Sequence, residues 1–389
     1  MKNQITLKKR EEQRLLSGHQ WVFSNEIQSI QGNPEAGDII DLLRHDGKFL
    51  GRGLYNPHSL IAVRLLTRNK EEISFAFFER RISQALKLRQ IVFPQAETFR
   101  LVHGEGDFLP GLIIDKYNEF LSIQTLSFGM DRRLTLICDV LESMLHPKAI
   151  VERNESHLRA LEHLDSRKGV LRGTSDHTIV TENGIKFNLD LLGGQKTGLF
   201  LDQRENRKAI RRYVSGRSVL DCFCNEGGFS LNAAAGGATR VEAYDVSEAA
   251  ISRARVNATI NQAACISFGV SDAFDLLQKK VENGETYDVV VLDPPSFTRS
   301  RKNVNSALKV YKEINGNALK LLTNGGFLAT ASCSHHISEE SFLGTVESAA
   351  HHAGRTVRLV HAAGAGPDHP TLPSMPETRY LKFAVFAVD

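Results

Sequence analysis

The sequence predicts an α/β protein whose C-terminal half is a doubly wound parallel sheet, preceded by two smaller domains. From residue 184 onward, short apolar segments alternate with helical stretches. That alternation is typical of a parallel sheet covered by helices on both faces. Residues 1–70 instead show short strand-like segments separated by turn formers. A length of 389 residues also favours two or three domains over one core.

The last two predicted strands of the C-terminal half have no helix between them, so we expect the sheet to end in an antiparallel hairpin. A doubly wound sheet with this ending is the Rossmann-like plan of class I methyltransferases. The seven predicted strands are Ser218–Phe223, Val241–Asp245, Ile266–Val270, Tyr287–Asp293, Gly326–Ser332, Arg355–Val360 and Lys382–Val388.

Two smaller domains are predicted before this sheet. Residues 1–72 read as a small β-barrel, and residues 73–183 as a middle α+β domain, which leaves residues 184–389 for the methyltransferase-like domain. Residues 1–70 hold 11 Lys and Arg against 7 Asp and Glu, whereas the remainder holds 37 against 38. This basic excess fits a module that faces phosphates, although a solvated basic surface is the alternative. The predicted elements are the strands Trp21–Phe23, Asp38–Leu43, Leu60–Leu66, Leu112–Tyr117, Phe120–Gln124 and Ala149–Glu152, and the helices Glu71–Val92 and Arg132–Leu145.

The composition excludes several classes of protein. Hydrophobic residues make up 41% and charged residues 24%, the balance of a soluble globular protein. No apolar run is long enough to span a bilayer, and the polar start of the chain does not resemble a secretory signal. A cytoplasmic protein without membrane contact is therefore expected. Five scattered cysteines without a CxxC pair argue against a disulfide framework and a zinc site, so no metal is predicted.

Four strand ends carry an aspartate at the edge where ligands of such sheets bind. Asp221 ends the first strand and leads into a loop containing Gly227, where backbone can approach a ligand closely. Asp245 follows 24 residues later and is placed to accept hydrogen bonds from a ribose. Asp272 is placed to contact an adenine edge, and Asp293 ends the fourth strand. Each aspartate alone could simply cap the next helix, but four together predict a nucleoside site.

The ligand predicted for this site is S-adenosylmethionine, and the alternative is a dinucleotide. A dinucleotide site expects G-x-G-x-x-G after the first strand, and that pattern is absent. Glu226 in the loop would repel a pyrophosphate, whereas the ammonium and sulfonium charges of S-adenosylmethionine tolerate carboxylates.

Asp293 begins an Asp-Pro-Pro motif in which Pro294 and Pro295 stiffen the turn. A rigid polar edge of this kind suits a planar base that has been flipped out, with Phe297 available for stacking. An ordinary strand-to-loop turn is the alternative. One strand over, Cys333 emerges at the same edge.

A cysteine at a substrate edge matches the methylation of a pyrimidine at carbon 5. That carbon is a poor nucleophile until a thiolate adds at carbon 6. The alternative for Cys333 is a small buried hydrophobe. A neighbouring histidine, His335 or His336, could lower the pKa of the thiol. Cys222 and Cys224 are competing thiols that we expect to be packing residues.

Several long motifs resemble the RlmI-type family, the ribosomal RNA large-subunit methyltransferases that make 5-methylcytosine. The likeness extends over nearly the whole chain, and the first motif belongs to the family's PUA RNA-binding domain. The motifs are RLLSGHQWVFSNEI at residues 14–27, GEGDFLPGLIID at 104–115, QKTGLFLDQRENR at 195–207, DPPSF at 293–297 and SCSHH at 332–336.

The resemblance implies a role for each site residue. Cys333 would attack carbon 6 and Asp293 would hold the cytosine edge. The chain departs from the family at Asn225-Glu226, where members usually carry Tyr-Thr, and this affects the detailed donor contacts. The residues that would line or close the donor site are Asp221, Cys222, Gly227, Asp245, Asp272, Phe200, Asp202, Arg204 and Pro294. For Phe200, Asp202 and Arg204, the alternative is ordinary hairpin and helix-start packing. The basic residues of this region could equally form an RNA-facing or solvated helix face; they are Arg204, Arg207, Arg211 and Arg212.

The sequence thus predicts a cytoplasmic RNA methyltransferase that acts on cytosine carbon 5, with ribosomal RNA as its partner. Two alternatives remain open: an RNA amino-group methyltransferase that uses the Asp-Pro-Pro motif alone, and a non-catalytic RNA-binding ribosome assembly factor. A small-molecule methyltransferase would leave the N-terminal module without a purpose. The modified nucleotide and the oligomeric state, including a homodimer, are left open.

Overall fold

The computed structural model describes residues 3–194, 197–298 and 300–389. The chain forms two compact units. The N-terminal unit comprises residues 1–180, 189–201 and 367–378, and the C-terminal unit comprises residues 181–188, 202–366 and 379–389. No helix in the described part of the chain is both long and apolar enough to cross a membrane.

The N-terminal unit begins with a six-stranded sheet in the order β2-β6-β5-β4-β1-β3. Side chains from both ends of the sheet, such as Val22 and Ile5, belong to one hydrophobic cluster, so the sheet curls around its own core. The strands are β1 (Gln4–Leu7), β2 (Trp21–Phe23), β3 (Ile27–Gln31), β4 (Ile39–Leu43), β5 (Phe49–Tyr55) and β6 (Ile61–Thr67), with a short helix α1 (Gln13–Leu16).

A second sheet of this unit has the order β11-β10-β9-β8-β7 and packs against two amphipathic helices over a separate core. Its elements are α2 (Phe75–Val92), β7 (Thr98–His103), β8 (Leu112–Tyr117), β9 (Phe120–Thr125), α3 (Phe128–Asp131), α4 (Leu134–Leu145), β10 (Ala149–Asn154) and β11 (Arg167–Gly173). The next two strands, β12 (His177–Glu182) and β13 (Ile185–Asp190), pair with each other.

The C-terminal unit contains a seven-stranded sheet in the order β16-β15-β14-β17-β18-β20-β19. Only β20 runs antiparallel to its neighbours, which confirms the predicted doubly wound sheet with a final hairpin. Its elements are α5 (Arg204–Ala209), β14 (Ser218–Asp221), α6 (Gly228–Ala235), β15 (Arg240–Asp245), α7 (Glu248–Ile260), β16 (Ile266–Val270), α8 (Ala273–Glu282), β17 (Tyr287–Leu292), α9 (Val304–Leu321), β18 (Leu322–Ser332), α10 (Glu339–His352), β19 (Val357–Ala363) and β20 (Lys382–Val388).

Both faces of this sheet are buried, because successive side chains of a strand point to opposite faces. Leu220 of β14 belongs to the core beneath α8, α9 and α10, whereas Val219 belongs to the core on the other face. The same alternation holds for Val290 and Val289 in β17. Helices therefore cover both faces, and only the strand ends can offer polar groups to a ligand.

A fully buried ion pair holds the N-terminal unit together. Arg89 of α2 is inaccessible to solvent and donates to both carboxylate oxygens of Asp107, at 2.5 and 2.6 Å. Its remaining donors reach the backbone carbonyls of Arg100 and Asp368. The guanidinium thus joins α2, β7 and residues 367–378 of the same unit.

We expect Arg89→Met to lower the free energy of unfolding of the N-terminal unit by about 3–5 kcal/mol, because it leaves the Asp107 carboxylate buried without its partner. Urea unfolding followed by circular dichroism measures this change. Lys148→Ala, which removes a solvent-exposed ion pair with Glu119 in the same unit, is the matched control and should leave the midpoint unchanged. Equal midpoints for the two variants would show that the buried pair does not hold the unit together.

Candidate active site

Parallel pairing brings four strand ends to one edge of the C-terminal sheet. Asp221 and Asp245 are the last residues of β14 and β15, and Asp293 directly follows β17. Cys333 directly follows β18, whose Thr330 pairs with Leu292. The sequence therefore predicted correctly that these residues leave the sheet at a common edge.

Asp221 lies at the centre of this edge and is completely buried. Its Oδ2 accepts a hydrogen bond from the Ser230 hydroxyl at 2.6 Å. Burial, together with the nearby charges of Asp293 and Asp245, raises the pKa of Asp221 to about 7, against the lowering effect of hydrogen bonds from Ser230 and the Phe223 backbone. The three carboxylates are thus close enough to repel one another, which suits a ligand that brings positive charge.

The loop after β14 adopts backbone angles that favour residues with little side chain. Asn225 has φ +48° and Gly227 has φ +87°, directly before α6 begins. The Asn225 backbone N–H donates to Asp245 Oδ2 at 3.0 Å, and the Gly227 N–H donates to the Cys224 carbonyl at 2.7 Å. The loop is therefore tied to the end of β15.

Cys222 and Cys224 are buried, as expected of packing residues. Burial raises the pKa of both thiols, that of Cys222 well above its ordinary value. Cys222 packs in the same core as Leu220 and Leu292. A contact between Cys222 and a methyl donor would therefore have to come from its backbone, and that contact stays a prediction.

Glu226 does not act as the sequence argument assumed. Arg253 Nε donates to Glu226 Oε1 at 2.7 Å, so the charge that was expected to repel a pyrophosphate is neutralised within the protein. The preference for a cationic ligand depends instead on Asp221, Asp245 and Asp293.

Two of the residues predicted to bind the methyl donor also accept hydrogen bonds from the protein backbone. Asp272 is exposed and caps α8 by accepting from the backbone N–H groups of Phe274 and Asp275. Asp245 Oδ1 accepts from the Ser247 N–H at 2.9 Å. Each carboxylate oxygen has a second lone pair, so these bonds are compatible with ligand contacts.

The segment before α5 contacts the same edge. Asp202 Oδ2 accepts from the Tyr380 hydroxyl at 2.6 Å, and Gln203 Nε2 donates to Asp293 Oδ1 at 2.8 Å. Gln203 lies in the family motif at residues 195–207, but the sequence did not predict a role for it. Gln195 and Lys196 of that motif lie outside the described residues, and Phe200 belongs to the N-terminal unit, so its donor contact stays a prediction.

The predicted cluster of Arg204, Arg207, Arg211 and Arg212 is not one solvated face, since only Arg212 of the four is exposed. Arg204 and Arg207 are buried, and Arg207 forms a bidentate ion pair with Glu182. Arg211 donates to Asn232 Oδ1 at 2.8 Å. The alternative of an exposed or RNA-facing basic cluster is therefore wrong for Arg204 and Arg207, because both side chains are buried.

The proposed substrate edge brings Cys333 next to the Asp-Pro-Pro turn. The Cys333 thiol points to the Pro294 carbonyl, with Sγ and O 3.9 Å apart. Behind it, the Ser334 hydroxyl contacts the Ser296 and Tyr311 hydroxyls at 3.0 and 3.2 Å. These bonds fix the two strand ends relative to each other, and Cys333 itself is partly exposed.

Phe297 was expected to stack on a base; its ring is half-buried and packs against other aromatic rings, and stacking on a base stays a prediction. Its centroid lies 4.7 Å from that of Tyr311 and 6.1 Å from that of Phe274. Tyr311 was not foreseen from the sequence, since it lies in the middle of α9 without a recognisable motif.

One group of side chains elsewhere could hold a metal ion. In the described ranges, Asp176, His177 and Asp190 of the N-terminal unit bring three ligand atoms within 4.8 Å of one another. Both ring nitrogens of His177 already face these carboxylates, and the histidine is exposed, so ordinary surface ion pairing accounts for the group.

Comparison with known proteins identifies two domains. Residues 5–68 match the model of a PUA-like domain, and residues 100–383 match that of an S-adenosylmethionine-dependent methyltransferase. The ribosomal RNA large subunit methyltransferase I of Tolumonas auensis is 40% identical over 390 residues and covers 98% of both chains. The protein of the same name from Shewanella denitrificans is 41% identical over 392 residues, covering 99% of both.

A solved structure has the same fold along the entire chain. It is a protein assigned as a methyltransferase and crystallised with SAH, with a TM-score of 0.86, 21% identity and 100% coverage of both chains. This structure confirms the predicted fold, and the match of residues 100–383 to the S-adenosylmethionine-dependent methyltransferase model confirms the predicted cofactor. The acidic strand ends and the glycine loop are compatible with the ammonium and sulfonium charges of S-adenosylmethionine.

We expect Asp221→Asn to stabilise the ligand-free C-terminal unit at pH 8, and to do so progressively less as the pH falls towards 4. The folded-state pKa of about 7 lies above the ordinary value of 3.8, so wild-type stability falls as pH rises between these values. Asparagine mimics the protonated acid and avoids that loss. The melting midpoint should rise by about 2 °C or more at pH 8, whereas S-adenosylmethionine should bind more weakly by calorimetry.

The exposed Asp275→Asn is the control for this variant and should change neither quantity. A lower melting midpoint of Asp221→Asn at pH 8 would contradict the raised pKa of Asp221.

Proposed function

The chain belongs to the S-adenosylmethionine-dependent methyltransferase family, and from that premise we propose that it methylates carbon 5 of a cytosine in large-subunit ribosomal RNA. The RNA substrate comes from the names of the curated relatives and from the PUA-like domain. The position of methylation comes from one observation: a partly exposed thiol, Cys333, lies beside the Asp293-Pro294 turn at the edge of the donor site.

The residues of the chain perform the substrate half of this reaction. Asp293, oriented by Gln203, accepts a hydrogen bond from the cytosine amino group. The Cys333 thiolate forms a bond to carbon 6, which moves electron density to carbon 5. S-adenosylmethionine, when bound, supplies an electrophilic methyl group for carbon 5. Loss of the carbon 5 proton then restores the double bond and expels the Cys333 thiolate.

Donor binding is assigned to the other strand ends. Asp221, Gly227, Asp245 and Asp272 would line the site together with the backbone of Cys222. The segment that would close over the donor contributes Phe200, Asp202 and Arg204, and Pro294 would separate donor from base. A rigid arrangement of this kind lowers the barrier mainly by holding the reacting atoms in place.

The PUA-like domain would supply affinity rather than base choice. Contacts from its basic residues to phosphates are independent of sequence and weaken with salt. We propose the division 1–72, 73–183 and 184–389 for the RNA-binding, middle and methyltransferase parts. An RNA of the ribosome as substrate also favours a cytoplasmic location.

We expect Cys333→Ala to lower the rate of 5-methylcytosine formation by at least about 10³-fold, because carbon 5 then lacks activation. Mass spectrometry of nucleosides from ribosomal RNA incubated with enzyme and donor measures the product. Binding of S-adenosylmethionine should be unchanged, which separates loss of chemistry from loss of folding.

Cys265→Ala is the matched control, since Cys265 packs away from the strand-end edge and should be replaceable without loss of rate. Retained turnover in Cys333→Ala would remove the covalent mechanism and favour methylation of an amino group. Absence of both donor binding and turnover in the wild type would favour an assembly factor.

A further inference from the structure

A cysteine nucleophile at neutral pH needs a nearby positive charge. The ordinary pKa of a cysteine thiol is about 8.5, so only a few per cent is thiolate near pH 7. Cationic neighbours lower that pKa. The surroundings of Cys333 therefore decide how much nucleophile the proposed reaction has.

The first histidine after Cys333, His335, does not provide this charge in the way the sequence suggested. His335 stacks near Tyr380, with ring centroids 5.2 Å apart. Although part of its ring is exposed, desolvation lowers the pKa of His335, and the charges of Lys382 and His336 lower it further. His335 is therefore mostly neutral at pH 7.

Lys382 on β20 provides the cation instead. Lys382 pairs with Ser332 of the antiparallel neighbour β18, and Ser332 directly precedes Cys333. The side chain is only 6% exposed, and Nζ donates to the Ser334 carbonyl at 2.6 Å and to the Tyr380 carbonyl at 2.7 Å. An ammonium has three donors, so one remains.

This buried ammonium has no carboxylate partner within ion-pair distance in the described parts of the chain. A buried charge without a counter-charge is costly. Burial and the charge of Arg379 accordingly lower the pKa of Lys382 to about 8, against the raising effect of the Cys333 and Glu339 charges. At pH 7, below this value, Lys382 still carries its proton and lacks an anion.

We propose that Lys382 is a positioning residue whose buried ammonium holds Cys333 as the thiolate that attacks the base. The thiol proton passes to solvent, and the thiolate becomes the counter-charge that the ammonium lacks. This inference rests on the proposed function, in which the thiolate is the nucleophile. The ionisation of the Cys333 thiol is nevertheless a property of the ligand-free protein.

Other charged groups near Lys382 and Cys333 also affect the ionisation of the Cys333 thiol. Asp293 opposes thiolate formation through like charge, and burial raises the pKa of Tyr311, with Cys333 and Asp293 raising it further. Because the acids at this edge disfavour another anion, the cation on β20 has to outweigh them. The titratable and charged groups near the pair are Asp293, Tyr311, His335, His336, Glu339, Arg379 and Tyr380.

The test is the pH dependence of Cys333 alkylation by iodoacetamide, without donor or RNA, in a Cys265→Ser background. Peptide mass spectrometry follows Cys333 itself, and the buried Cys138, Cys222 and Cys224 are protected. Half-maximal alkylation should lie below pH 8.5. Lys382→Met should shift it upward by about one unit or more, which lowers the rate at pH 7 about tenfold. Lys382→Arg should retain most of the effect.

Lys280→Met is the matched control, because Lys280 is another buried lysine but contacts Glu242, Glu285 and Tyr287. It should lower stability without moving the alkylation profile. An unchanged profile in Lys382→Met would show that Lys382 only satisfies carbonyls. A wild-type midpoint at or above pH 8.5 would also overturn the proposal, and this result needs no folded variant.

Turnover separates this inference from the proposed function. With Lys382→Met, kcat at pH 7 should fall about tenfold and approach the wild-type value at high pH, with KM for S-adenosylmethionine unchanged. If Cys333→Ala keeps its activity while the alkylation profile still depends on Lys382, the covalent mechanism fails and the thiolate pairing stands.

Discussion

The parallel register of β14, β15, β17 and β18 is the constraint on which the rest of the molecule depends. Both faces of the sheet are buried under helices, so polar chemistry is confined to the strand ends. The same register sets Asp221, Asp245, Asp293 and Cys333 along one edge. In the proposed reaction, donor and base would thereby be held by neighbouring strands of one sheet. A shift of one residue in the register would turn each of these side chains to the other face of the sheet.

The electrostatics of this edge divide it into two halves. On the donor side, burial and, to a smaller extent, repulsion by Asp293 and Asp245 raise the pKa of Asp221, so a positive charge is favoured there. On the base side, the antiparallel strand β20 brings in Lys382, a buried cation that creates a demand for negative charge. In the proposed reaction, a cationic cofactor and a thiolate nucleophile would supply these two charges. One sheet can therefore favour both partners of a methyl transfer, although their charges are opposite.

The sequence predicted the sheet, its strand ends and the cofactor because strand periodicity, loop glycines and aspartates at strand ends are local signals. It did not predict β5, because Gly51 and Gly53 weaken the strand pattern. A Cβ atom at either glycine would lie within 3 Å of a carbonyl oxygen of β6, so the glycines allow the two strands to pair closely. Nor did it foresee that Arg253 neutralises Glu226, or that the Lys382 ammonium reaches the Ser334 carbonyl next to Cys333. Those contacts join residues far apart in the chain, and no spacing reveals them.

The central claim, that donor and thiol act together on cytosine carbon 5, is tested most directly with RNA containing 5-fluorocytidine. After thiolate addition and methyl transfer, carbon 5 holds fluorine in place of the proton that must leave, so the adduct cannot resolve. The account predicts a protein–RNA species, stable in denaturant, whose mass equals protein plus RNA plus one methyl group, and which requires S-adenosylmethionine and Cys333. No such species with active wild-type enzyme, or an equal yield from Cys333→Ala, would contradict it.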